Sequence, residues 1–231
     1  MFAAAFTAGL SGFGAALVGM PLLSMLFGAQ MARAIYPLAF LASQTFMIIS
    51  YRKQIHLKSL SRMAIPSLLL IPIGGFAASI LPDRAIFATL AIMILLYALY
   101  SLFKFPLPTL KNPNWGIPFG CFSGVLAGAF NTPGPPLIVY ANMTEWERGT
   151  FKGNLQSVFF ANSIAVNIMH FTTGNHSAET VTLAVTAVPA IFLGIFLGKS
   201  CDRFINPQQF RTIVLILLIA ISLSLLFFRV F

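Results

Sequence analysis

Charge is the chain's scarcest commodity: Asp, Glu, Lys and Arg together make up 8% of its 231 residues. A soluble domain carries about a quarter, so a surface bathed in water on all sides is excluded. Acid is scarcer still, with five Asp and Glu against 14 Lys and Arg. None of the five lies centrally in an apolar run, which leaves no interior carboxylate pair for general acid–base work. HExxH is absent, and Cys121 and Cys201 are too few and too far apart for a metal cluster or a disulfide framework. A glycine-rich loop ending in GK[ST] is also missing, which removes the usual signature of nucleotide hydrolysis. No cofactor or metal is expected. The first apolar run has no charged stretch before it and no cleavage site, so it is expected to remain as a mature span.

What is present is apolar. Hydrophobic residues make up 58% of the chain, including 24 Phe, and the mean hydropathy is +0.88. Charge-poor segments lie near 2–27, 34–51, 63–82, 85–103, 115–141, 153–171, 180–198 and 212–228. Most are long enough to cross a hydrocarbon core at about 1.5 Å per helical residue. The expected fold class is therefore all-α: a polytopic helical membrane protein with about eight transmembrane segments, in contact with the lipid bilayer. The net charge of +9 sits at segment ends and in loops, as the positive-inside bias and headgroup attraction require, so nucleic acid is not an expected partner. The abundant Phe and Met read as lipid-facing packing. Oligomeric state stays open, with a homodimer as one option.

The stretch Lys104–Asn114, with three prolines, falls near mid-chain and suggests a connector over 105–114 between two related halves, 1–104 and 115–231. Shifting the sequence by 119 places Gly9 on Gly128, Arg33 on Lys152, Phe40-Leu41-Ala42 on Phe159-Phe160-Ala161 and Gly75 on Gly194. The loop 51–62 carries Arg52, Lys53, Lys58 and Arg62 and is expected to be cytoplasmic, whereas its counterpart near 172–180 carries no Lys or Arg. Those charges favour inverted repeats. Four complete spans per half would give parallel ones. A broken segment that enters and leaves on one side reconciles the two, a recurring plan in transporters.

Breakers fall at matching places. Gly9, Gly12, Gly14, Gly19 and Pro21 interrupt the first segment, and Asn131-Thr132-Pro133-Gly134-Pro135-Pro136 interrupt the fifth. Gly120, Gly124 and Gly128 recur every four residues, which lets a second backbone approach closely. Asn131-Thr132 are expected to cap a new half-helix whose first turn takes Pro135 and Pro136. A half-helix N-terminus supplies free N–H donors and about half a positive charge, an anion site without a charged side chain at mid-bilayer. Broken backbone at that depth needs protein or a watery cavity around it.

Polar residues inside the neighbouring segments should face the bundle interior. Ser43, Gln44 and Thr45 lie in the second, and Asn162 and Ser163, their counterparts, in the sixth. Each fits helix–helix bonding or substrate contact. Arg33 and Lys152 precede these polar groups and fit either attraction of anions or anchoring at the interface. His170 fits a proton-coupling residue, with an ordinary pKa near neutrality, or a structural one.

GLSGFGAALVGMPLL in the first half and GVLAGAFNTPGPPLIVYA in the second resemble the two glycine-rich signatures of the TauE/SafE sulfite exporter family. The resemblance covers nearly the whole chain and departs at Ala15 and Ala16, where further glycines are common. It implies a secondary transporter of two related halves that moves small anions such as sulfite or organosulfonates. It also implies substrate contacts at Gly12, Phe13, Gly14, Asn131, Thr132, Pro133, Gly134 and Pro135. Ser43, Gln44, Asn162 and Ser163 join that site through the repeat. The expected protein is a permease of the cell inner (cytoplasmic) membrane driven by an ion or potential gradient. A passive anion channel is the alternative, an intramembrane enzyme a weaker one.

Overall fold

The computed structural model describes residues 1–11, 14–103, 107–144, 146–201 and 207–230, which are helices joined by short turns. The first half holds α1 (Phe2–Ser11), α2 (Ala15–Phe27), α3 (Ala29–Tyr51), α4 (Leu57–Ile80) and α5 (Asp83–Phe103). The second holds α6 (Gly116–Phe130), α7 (Gly134–Met143), α8 (Arg148–Thr172), α9 (Ala178–Cys201) and α10 (Pro207–Leu225). Every apolar segment expected from the sequence is helical, and the first and fifth are each split in two by their breakers. Among the described residues four helical stretches have the length and composition to cross a membrane: Ala29–Gln54, Leu60–Ile80, Asp83–Phe103 and Ala178–Cys201. The outer surface fits that role. On α4, Ile65, Leu69, Ile73, Phe76 and Ile80 are exposed at intervals of three or four residues, an apolar stripe turned outwards instead of into a core.

The halves of each broken segment fold back on one another. Tyr140 of α7 packs on Phe119 of α6 with ring centroids 5.5 Å apart. Ser123 Oγ donates to Pro133 O at 3.1 Å, and Leu110 N–H to Met143 O at 2.8 Å. Residue numbers rise on one strand of these contacts as they fall on the other, so α6 and α7 form an antiparallel hairpin. The same holds for α1 and α2. A Cβ added to Gly14 would sit 3.5 Å from the Thr7 methyl, and one added to Gly19 would sit 3.1 Å from Ala4 Cβ. Each hairpin therefore has its two open ends close together, and three longer helices follow it in chain order.

Small residues bring α6 against α4. A Cβ on Gly120, Gly124 or Gly128 would collide with the carbonyl oxygens of Met63, Ser67 and Ile71 respectively. Two rows of residues four apart thus meet backbone to backbone, and because both rows ascend together α4 and α6 are parallel. Gly194 and Gly198 bring α9 against α1 in the same way, meeting the Phe2 and Phe6 carbonyls. At the centre α3 crosses α8. Ser163 Oγ donates to Pro37 O at 3.2 Å, and the His56 N–H donates to Asn154 Oδ1 at 2.9 Å. Those pairs make α3 and α8 antiparallel, although they begin 119 residues apart and occupy the same place in the helix order of each half.

Candidate functional site

The second hairpin turns because α6 ends on a residue able to adopt a left-handed backbone. Asn131 has φ 54 and ψ 25, a conformation that short polar side chains tolerate best after glycine. Its N–H returns to Ala127 O and that of Thr132 to Leu126 O, closing the last turn. Pro133 then leads into α7 with Pro135 and Pro136 in the first turn, where a missing N–H breaks no helical bond. The structure corrects one expectation. Asn131 and Thr132 do not cap α7, which has no side-chain cap. From its left-handed position the Asn131 side chain reaches α3 instead, where Nδ2 donates to the Arg33 carbonyl at 2.9 Å. Thr132 Oγ1 is buried without a hydrogen-bond partner.

In the first hairpin Gly14 takes the turning role, with φ 92 immediately before α2. Gly12 and Phe13 lie outside the described residues.

Between the two turns is a cavity of about 70 Å³, lined by Gly14, Ala15, Ala16 and Leu17 on one side and Asn131, Thr132, Pro133 and Gly134 on the other. Both helix N-termini thus meet at one point, about halfway along α3, whose Tyr36, Phe40, Ser43 and Gln44 complete the wall with Gln156 and Phe159 of α8. Phe40 and Phe159, which stand 119 residues apart in the sequence, both line the cavity. A Cβ on Gly134 would find ordinary contacts with Ile138 and Phe159, at 3.6 and 3.7 Å. Gly134 therefore keeps space free in the cavity and is not forced by crowding.

The expected site residues separate into groups. Gly14, Ser43, Gln44 and Asn131 through Gly134 line the cavity. Pro135 faces the other way with Pro136, onto an apolar surface groove. Asn162 and Ser163 are committed to packing: Ser67 Oγ donates to Asn162 Oδ1 at 3.0 Å, tying α8 to α4, and Ser163 ties α8 to α3. Gln156 and Tyr36 line the cavity and were not expected there. Gln156 falls opposite Pro37 at the offset, so a search for matched polar pairs passes over it. Its signal was the polar opening of α8, RGTFKGNLQS, unusual for an apolar helix.

Arg33 lies one turn into α3 and is 4% exposed. Its Nη2 donates to the carbonyls of Gly75 at 3.3 Å and Gly128 at 3.2 Å. The guanidinium joins α3 to α4 and α6, beside the turn that Asn131 anchors. Lys152, its counterpart, is half-buried near Lys199. His170, in the last turn of α8, is buried against Arg33 and accepts from Asn175 Nδ2 at its Nδ1, 3.2 Å away. His176 follows in the loop before α9, where burial holds its imidazole below the ordinary pKa. Among the described residues no three His, Cys, Asp or Glu gather as a metal site.

Residues 1–225 match the family model described as sulfite exporter TauE/SafE. A protein of Cupriavidus necator named as a probable sulfite/organosulfonate exporter TauE is 27% identical over 225 residues, covering 94% of this chain and 87% of that protein. No solved structure matches the chain.

Proposed function

The chain belongs to the sulfite exporter TauE/SafE family and is a multi-pass membrane transporter; we propose that it is a secondary transporter of a small oxoanion of the sulfite or organosulfonate class, placed in the cell inner membrane. The observation that carries this reading is the cavity where the first turns of α2 and α7 converge. Two helix N-termini add their partial positive charges there. The prolines remove N–H groups at the second and third positions of α7, so its donors are Gly134 and Leu137, with the Thr132 hydroxyl alongside. Ser43, Gln44 and Gln156 supply neutral polar groups. The ion is thus held without a fixed charge in contact with it, which suits a carrier that must also release it.

The parallel pairs α4–α6 and α9–α1 and the antiparallel crossing of α3 with α8 support two inverted halves, 1–104 and 115–231, joined by a connector. Rocking one half against the other would expose the cavity to each side in turn. His170 is the residue we assign to a coupling proton. Substrate release is expected to draw the ion towards Arg33 on one face and Lys152 on the other.

Counterflow of labelled sulfite in proteoliposomes tests the reading. Wild type should accumulate sulfite against its gradient, and Gly134→Val should raise the half-saturating concentration at least tenfold by filling the cavity. Downhill flux alone would make the protein a channel. Unaltered kinetics in Gly134→Val would move the site elsewhere. Inversion is checked separately: in a background without Cys121 and Cys201, Lys53→Cys and Ser177→Cys should be labelled from opposite faces of oriented vesicles.

A further inference from the structure

We infer that Arg33, His170 and His176 form a second oxoanion site, separate from the cavity between the hairpins and close to the opposite face from the basic loop 51–62. It is argued from unpaired donors and rests on the transport reading only for its place along the path. Arg33 is a buried cation, and the interactions it makes are with neutral carbonyls. No carboxylate is among the groups acting on it. Of the acidic residues that are described, Asp83 and Glu179 begin α5 and α9 on this face and neither is paired with it. Taking a cation out of water without a counter-charge is strongly unfavourable, so an anionic partner would stabilise it.

The hydrogen bonds left unmade say what that partner is. Arg33 Nε is buried and has no acceptor. At His170 the Asn175 amide occupies Nδ1, which places the ring proton on Nε2; the ring faces the Arg33 carbonyl, which already accepts from Asn131, and buried Nε2 makes no well-formed hydrogen bond. The His176 ring lies 5.8 Å from that of His170 and faces the Asn167 carbonyl, but neither of its nitrogens makes a well-formed hydrogen bond. A neutral imidazole carries one N–H. Three N–H donors from three elements, α3, α8 and the loop before α9, therefore gather with no acceptor in good hydrogen-bonding geometry. Buried donors left unpaired are rare, and a compact oxoanion, with acceptors on every side and a negative charge, answers all three together with the guanidinium. Asn167 Oδ1, one turn before His170, is an unpartnered acceptor, the kind of atom that a water would bond, and water in place of the anion is the competing occupant.

The cluster is joined to the cavity through one residue, because Asn131 lines the cavity and bonds the Arg33 carbonyl. An anion leaving the cavity towards this face would meet Arg33 next.

Sulfate and sulfite binding to the purified, detergent-solubilised protein at low chloride, followed by titration calorimetry, tests the inference. Gly134→Val, with the cavity filled, should keep a saturable sulfate site. In that background Arg33→Gln should weaken the site about tenfold or more, as loss of a charge-assisted bond implies. His176→Leu, a loop change that leaves the helices intact, should weaken it severalfold, and melting curves confirm that both variants are folded. Unchanged binding in both, or no saturable binding by the wild type at millimolar anion, would overturn the site and leave water in the cluster. Transport is measured in parallel on wild type. Transport with binding indifferent to the cluster discards the second site alone, while cluster-dependent binding without transport discards the transporter reading alone.

Discussion

Arg33 and Lys152 occupy the fifth position of α3 and α8, two helices that hold the same place in the two halves, yet they are used differently. Arg33 is buried and spends one nitrogen on carbonyls from two other helices. Lys152 is half-buried beside Lys199, whose own ammonium lies 4.8 Å over the Phe46 ring. A guanidinium presents several donors in a fixed plane, whereas an ammonium is a compact, strongly hydrated charge. The arginine therefore closes its end of the bundle by bridging backbones, and the lysine leaves positive charge near water at the other. The two ends of the α3–α8 pair are thus closed to different degrees. The cavity's polar wall of Ser43, Gln44 and Gln156 lies on the Lys152 side of Phe40 and Phe159, away from the Arg33 closure.

The largest expected effect breaks the scaffold beneath that closure. Gly128→Val would drive a side chain into the Ile71 carbonyl and the Gly75 nitrogen, separating α6 from α4 and carrying the carbonyls away from Arg33. Overpacking of this kind costs about 1–3 kcal/mol and sometimes more, and here the obstacle is backbone, so loss of folded protein on size exclusion is expected. Gly9→Val, which meets the Ile195 backbone in the other half, should behave the same way. Equal damage would show that close packing is common to both halves while the charged closure is not. By contrast, Gly174→Ala meets open space and suffers only its φ of 70, a cost of about 1–2 kcal/mol.

Next in size is the direct comparison. Arg33→Met removes two charge-assisted bonds but also the cost of burying the cation, so a net loss of about 1–3 kcal/mol is expected. Lys152→Met should stay within about 0.5 kcal/mol. Thermal unfolding in one detergent measures both. Similar melting temperatures for the two variants would mean that Arg33 is not a closure.

Much of this was legible in the sequence because lipid leaves few options. Helices had to form wherever apolar runs were long, and among the breakers Gly14 and Asn131 mark turns, whereas Gly9 stays inside α1 and Gly19 and Pro21 inside α2. What stayed hidden was pairing across the chain. The sequence showed Gly120, Gly124 and Gly128 on one face, but not that α4 covers it, because Met63, Ser67 and Ile71 contribute backbone and carry no distinctive side chains. The polar residues of α8 looked alike as well. Gln156 reached the cavity while Asn162 and Ser163 went to helix packing, a difference set by which way the helix is rotated against α3. Arg33 resembled an interfacial anchor because its partners are main-chain carbonyls, which no side-chain pattern reveals.

The smallest effect isolates the link between the closure and the cavity. Asn131 does two things at once, holding a left-handed backbone and donating to the Arg33 carbonyl. Asn131→Gly keeps the backbone at ease and loses the bond, so it should cost about 1 kcal/mol. Asn131→Ala loses the bond and adds the strain of a left-handed alanine, about 1 kcal/mol more. The order wild type, glycine, alanine in melting temperature is therefore expected, with the steps nearly equal. Alanine matching glycine would show that the turn relaxes out of the left-handed region when the anchor is gone. Glycine matching wild type would show that the bond to Arg33 contributes nothing. In that case the second hairpin would be held by its glycine packing on α4 alone, and the contrast between Arg33 and Lys152 would stop at the side chains.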